Sequence, residues 1–258
     1  MKNTKILIPA LVLWLLTFLT SPAFSADKYQ YEYFEGQLGY FKELTLGHYA
    51  NNNDKRVMKW VNDINIFVKG HMPYSLSSEL DEIIADLNPL VAPIQLKKVS
   101  LEKQANYVIF IGSPKAYLDF EPSASRKNVN YGAALSVHEN SGYEIVNGSM
   151  YLDPDIFHDD FKMMSVFRKL ITHSLGTRYR SPNYEYADSI FSGTRYREII
   201  VQYSNMDKTI ISKLYSECVK ASMDKFELDH ALINGCWPWR KSQATSTKNT
   251  RLLPAIEV

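Results

Sequence analysis

The side chains with the most chemical potential stand together in Lys169-Leu170-Ile171-Thr172-His173-Ser174-Leu175-Gly176-Thr177-Arg178-Tyr179. His173 brings an imidazole, the group that ligates metals and moves protons near neutral pH. Lys169 stands four positions earlier, which on a helix is one turn away on the same face. As a metal ligand, His173 would need at least two partners, and His138 or His158 would have to come in from elsewhere. A lone histidine on a helix facing a cleft is more often a hydrogen-bonded wall residue. Tyr179, Tyr184 and Tyr186 follow in a polar stretch that would wall such a cleft, where they suit packing or ligand contact. Other catalytic chemistry finds no support. There is no Gly-x-Ser-x-Gly elbow, and with 11 glycines in all there is no glycine-rich loop to cradle a phosphate.

Those groups need a frame, and periodicity supplies one. An amphipathic helix is predicted around Gly36 to Gly47, followed by an asparagine-rich loop at Asn51-Asn52-Asn53. Val61 to Val68 reads as a strand. Ser75 to Asn88 reads as a helix capped by Ser77 or Ser78, with Leu80, Ile83, Ile84 and Leu87 on one face, and ended by Pro89 and Pro93. Ile94 to Val99 and Asn106 to Ile111 are strands, the second apolar enough to be central. Tyr131 to His138 and Glu144 to Leu152 form a strand pair. Asp159 to Leu175 is a long helix ended by Gly176, which carries Lys169 and His173. A loop covers 177 to 189, and two helices follow, about Asp207 to Tyr215 and Met223 to Ile233. That order is an α+β layout in one domain.

The amino end carries Lys2 and Lys5, an apolar run from Ile6 to Leu19, and Thr20-Ser21-Pro22-Ala23-Phe24-Ser25-Ala26. These are the three parts of a secretory signal, with cleavage expected after Ser25. The run is shorter than the roughly 20 residues that span a bilayer, and no later stretch is long and apolar enough. Losing the leader's two lysines takes the formal charge from +1 to −1. A near-neutral chain without a basic run gives no case for nucleic acid. Cys218 and Cys236 are the two cysteines, most simply a disulfide in an oxidising compartment. Two free thiols or an intermolecular bond are the alternatives. A metal site built on them lacks partners apart from His230.

The segment from Lys169 to Tyr179 resembles the zinc motif of the metzincin metalloproteases. There, two histidines four apart on one helix face ligate Zn²⁺, a glutamate between them is the general base, and a glycine turns the chain toward a third histidine. His173, Leu175 and Gly176 match. The first histidine falls on Lys169, the glutamate on Leu170 and the third histidine on Tyr179. An ammonium repels Zn²⁺, and leucine cannot take a proton. Downstream, Asp188-Ser189-Ile190-Phe191-Ser192 resembles the methionine-containing turn beneath the metal, with Phe191 in place of methionine. Tyr203 to Tyr215 looks like the closing helix, with Asp207 near its start and Leu-Tyr at its end. Arg168 to Leu228 is also similar to a bacterial family of exported metzincin-like proteins of unknown function, in which the histidines are eroded while the Leu-Gly, Ser-Ile-Phe and Leu-Tyr blocks remain. The order of elements agrees from Arg56 onward, so the resemblance covers most of residues 56 to 230.

The resemblance implies a zincin-like (metzincin-type) α+β fold: a mixed sheet, a long central helix and C-terminal helices. It divides the chain into a signal peptide (1–25), an N-terminal extension (26–55), a metzincin-like domain (56–240) and a flexible tail (241–258). It implies a periplasmic or secreted pseudo-peptidase with no cofactor. A peptide or protein partner would lie in a cleft lined by Lys169, His173, Tyr179 and Asp188. Lys169 is then either an exposed lysine or an ammonium in the vacated metal position, paired with Asp188 or Glu185 and holding the loop. Two alternatives stand beside this reading. One is a metal-dependent hydrolase or peptidase with a non-standard site, using His173 with His138, Asp188 or Glu185 around a metal; the other is an envelope structural or assembly factor that uses another surface.

Overall fold

A computed structural model of the chain describes residues 36–46, 55–177, 188–192 and 199–236. The expected leader, the Asn51-Asn52-Asn53 loop, Tyr179, Tyr184, Glu185, Tyr186 and the tail from Lys241 lie outside those residues. The chain divides into two compact units, Met1–Tyr40 and Phe41–Val258. In the first, residues 36–40 are helical. This helix, α1 (36–46), enters the second unit at Phe41, where Phe41, Leu44 and Leu46 are buried.

The second unit is α+β. Its strands are β1 (Lys59–Trp60), β2 (Ile64–Lys69), β3 (Leu96–Lys98), β4 (Tyr107–Ile111), β5 (Ala133–Glu139) and β6 (Glu144–Leu152). Its helices are α2 (Tyr74–Val91), α3 (Pro114–Phe120), α4 (Arg126–Asn130), α5 (Asp160–Ser174), α6 (Asn205–Leu214) and α7 (Lys225–Ala231). One sheet runs β1-β6-β4-β2-β3, with every pair on that path parallel. β5 pairs antiparallel with β6 and with no other strand among the described residues. All five residues of β4 are buried, as its unbroken apolar sequence requires of a strand covered on both faces. The β5–β6 turn is set by Asn140, whose Oδ1 accepts from the backbone N of Gly142 (2.8 Å) and of Glu144 (3.1 Å).

Because side chains alternate along a strand, the sheet has two distinct covers. On one face Phe110, Tyr117, Ala124, Val129, Ala134 and Tyr151 form a cluster beneath α3 and α4. Tyr117 and Tyr151 stack there with centroids 4.9 Å apart. On the other face α2 packs on α5. No helix among the described residues is long and apolar enough to cross a membrane.

Several local expectations change. The strand expected from Val61 starts at Ile64; Val61 is exposed, and the Asp63 carboxylate instead accepts from the Gln95 backbone N at 3.0 Å. Helix α2 begins directly after Pro73, with no side-chain cap from Ser77 or Ser78, and runs through Pro89 to Val91. Pro89 is on the exposed side, where a missing N–H is tolerated, while Leu87 and Val91 are both fully buried. Burial of Val91 carries the helix past the proline. The short helices α3 and α4 were not foreseen. Each starts at a serine whose Oγ accepts a backbone N–H, Ser113 from Ala116 and Ser125 from Asn128. The Ser113-Pro114 pair is a start signal legible in the sequence.

Candidate functional site

Helix α5 starts where Asp159 Oδ1 accepts from the backbone N of Phe161 (2.8 Å) and Lys162 (3.1 Å). The helix is therefore capped by Asp159, next to His158. The helix stops at Gly176, whose φ of +116° favours glycine. A Cβ there would also lie 2.0 Å from the backbone O of Met58, so glycine permits the chain to cross β1 closely.

His173 is buried at 8% exposure near the end of α5. Its Nδ1 lies 2.9 Å from the carbonyl O of Thr177 and 3.0 Å from Thr177 Oγ1. A carbonyl only accepts, so Nδ1 carries the proton. The ring meets Phe191 edge to face, with centroids 5.5 Å apart. One turn earlier, Lys169 Nζ donates to the backbone O of Ser192 at 3.0 Å. Lys169 thus reaches the 188–192 turn through a backbone carbonyl, and Asp188 is exposed. Leu170 is buried.

The 188–192 turn is held from the other side by Asp207, which is fully buried at the start of α6. Its carboxylate accepts from Ser189 Oγ (2.5 Å), from the Ile190 backbone N (3.1 Å) and from the backbone N of Ser204 (2.9 Å). Burial pushes the Asp207 carboxyl upward, against these donors. Phe191 is fully buried above the turn. Two helices, α5 through Lys169 and α6 through Asp207, therefore fix five residues between them.

Behind this turn is a network the sequence reading missed. Arg168, 1% exposed, donates through Nε to Glu79 Oε1 (2.6 Å) and through Nη1 to Asp86 Oδ2 (2.7 Å) of α2. Its guanidinium lies 4.9 Å from the Tyr203 ring centroid, and the Tyr203 hydroxyl is 2.8 Å from Thr172 Oγ1. Burial disfavours the charge on Arg168, but the bonds to Glu79 and Asp86 outweigh it and raise its pKa. At the other end of α5, Trp60 Nε1 donates to Ser174 O (2.9 Å) and Tyr215 Oη to Leu175 O (2.8 Å). Lys59 Nζ donates to Leu214 O (3.0 Å) and Val219 O (2.6 Å), and burial lowers it to about 8. An ammonium at carbonyls ending a helix is favourably placed against its dipole.

His138 is elsewhere in the hydrogen-bond pattern. Its Nε2 lies 3.0 Å from Glu121 Oε2 and 3.5 Å from Ser136 Oγ, on the α3–α4 side of β5. Glu121 also takes bonds from Ser123 and Ser149. Burial opposes its ionisation, but the donors Ser123 and His138 outweigh that and hold its carboxyl below the usual range. His138 and His173 thus answer to separate partners. No group of three His, Cys, Asp or Glu side chains that could hold a metal occurs among the described residues. Cys218 follows α6, and the side chain of its expected partner Cys236 lies outside the described residues.

The chain matches no protein-family model and no curated protein sequence.

Proposed function

We propose that this chain is an exported, non-catalytic protein of zincin-like, metzincin-type fold that binds an extended peptide or protein segment in the cell envelope. The observation that carries the reading is the bond from Lys169 to the Ser192 carbonyl. At the helix position where the resemblance calls for a first metal ligand, a cationic side chain is engaged in holding the turn. Leu170, at the position of the base, is buried and has no proton chemistry. A metal there would have to displace that amine and bring in ligands besides His173.

Support for the fold comes from the sheet path β1-β6-β4-β2-β3, with β5 added antiparallel on β6, and from the long helix α5 that follows β6 in the chain. Support for peptide binding comes from β5, whose second edge pairs with no described strand. A row of backbone N–H and C=O groups on such an edge takes up an extended chain by adding it as a strand.

Metal analysis of the purified protein is the test. Expected is substoichiometric zinc, unchanged by chelation or by His173→Ala. Stoichiometric zinc that a chelator removes and that His173→Ala abolishes would overturn the reading in favour of a metal-dependent hydrolase.

A further inference from the structure

The second edge of β5 does not present uniform chemistry. Leu135 and Val137 alternate with Ser136 and His138, so a strand added alongside would meet apolar side chains on one face and this polar pair on the other. His138 is 38% exposed in its side chain, and Glu121 beneath it only 14%. A carboxylate can only accept, so the 3.0 Å contact requires His138 Nε2 to carry the hydrogen. In the neutral ring this leaves Nδ1 as an acceptor. The side chains bonded to Glu121 are Ser123, His138 and Ser149, none of them a lysine or arginine. The acids at this end of the hairpin include exposed Glu139, next in β5, and half-buried Glu144, which accepts from Asn140. A partly exposed ring with a free acceptor capacity beside a mostly buried anion favours a cation and repels an acid.

We propose that the His138–Glu121 pair selects a basic residue, lysine or arginine, in an extended peptide added to the β5 edge. The inference rests on the peptide-binding reading and specifies its ligand. Of the residues flanking the basic one, one falls beside Val137 and the other beside Glu139, so the recognised pattern is a basic residue with an apolar neighbour on one side.

The test is selection of a random heptapeptide library displayed on phage. It is run at pH 8 on the wild-type protein, Glu121→Gln and His138→Ala, each first shown to melt cooperatively. Expected on the wild type is enrichment of lysine or arginine at one position, with valine, isoleucine or leucine next to it on one side. For the best peptide, replacing that residue by glutamate should weaken binding by about tenfold or more, or about 1.4 kcal/mol. In Glu121→Gln the same replacement should change affinity less than about threefold, a free-energy difference below about 0.7 kcal/mol. Enrichment without a basic position, or a basic preference that survives both substitutions, overturns the selector and leaves edge binding intact. No enrichment over an unrelated protein sinks the peptide-binding reading and the selector with it.

Discussion

A guanidinium at 1% exposure, held by two carboxylates of another helix, is the most exacting single requirement on the packing. Removing the guanidinium strands the buried Glu79 carboxylate in low dielectric, and breaking such a buried pair typically costs about 3–5 kcal/mol. Arg168→Ala should therefore lose about that much stability in urea unfolding, and Glu79→Gln combined with Arg168→Met should recover much of it. A second residue prediction concerns Lys59. Burial lowers it to about 8 from 10.5, so the native state binds this proton more weakly than the unfolded state. Its contribution to stability is therefore least favourable below pH 8 and improves as pH rises from about 8 to 10.5. In ¹³C-methylated protein, one lysine resonance should titrate near 8 and be missing in Lys59→Gln. Neither role was legible in the sequence. Arg168 and Glu79 are 89 positions apart, and Lys59 answers to carbonyls, which every residue has. The bond from Lys169 to the Ser192 carbonyl was not legible for the same reason, while its expected partner Glu185 lies outside the described residues.

Elements were more readable than their contacts. The helix carrying His173, the apolar central strand β4 and the Asn140 turn all leave local patterns: a 3.6 period, an unbroken apolar run, a turn former. The end of α2 did not, because burial of Val91 overrides the local signal of Pro89. The 188–192 turn shows how much an element owes to remote groups, since Asp207 satisfies its backbone from 17 positions away. Asp207→Ala would leave buried donors at Ser189, Ile190 and Ser204 without an acceptor, each costing about 1–3 kcal/mol. A loss of at least about 3 kcal/mol is expected in chemical denaturation. Gly176→Ala should be worse than ordinary helix-end substitutions, because backbone conformation and the Met58 carbonyl both oppose a Cβ. Soluble yield and melting temperature, compared with Gly39→Ala in the open helix α1, measure this; equal effects would contradict it.

Across the molecule, hydrogen bonds and an ion pair converge on the segment after α6. The Cys218–Cys236 bridge remains a proposal: intact mass under non-reducing conditions should be about 2 Da below the reduced value, and two alkylatable thiols would count against it. A bridge closing so short a loop contributes about 3 kcal/mol by chain entropy. The same region is sewn to β1. Val57 N donates to Met223 O (2.8 Å), Ser222 N donates to Val57 O (2.9 Å), and Arg56 pairs with Asp224 at 2.8 Å. Lys59 reaches Val219 across 160 positions. A polypeptide made from its amino end must hold β1 in waiting until these late residues arrive. Completion is then checked by topology: a chain stopped after Ser216 lacks the mates of its own beginning, and should be digested readily by a protease that spares the finished molecule.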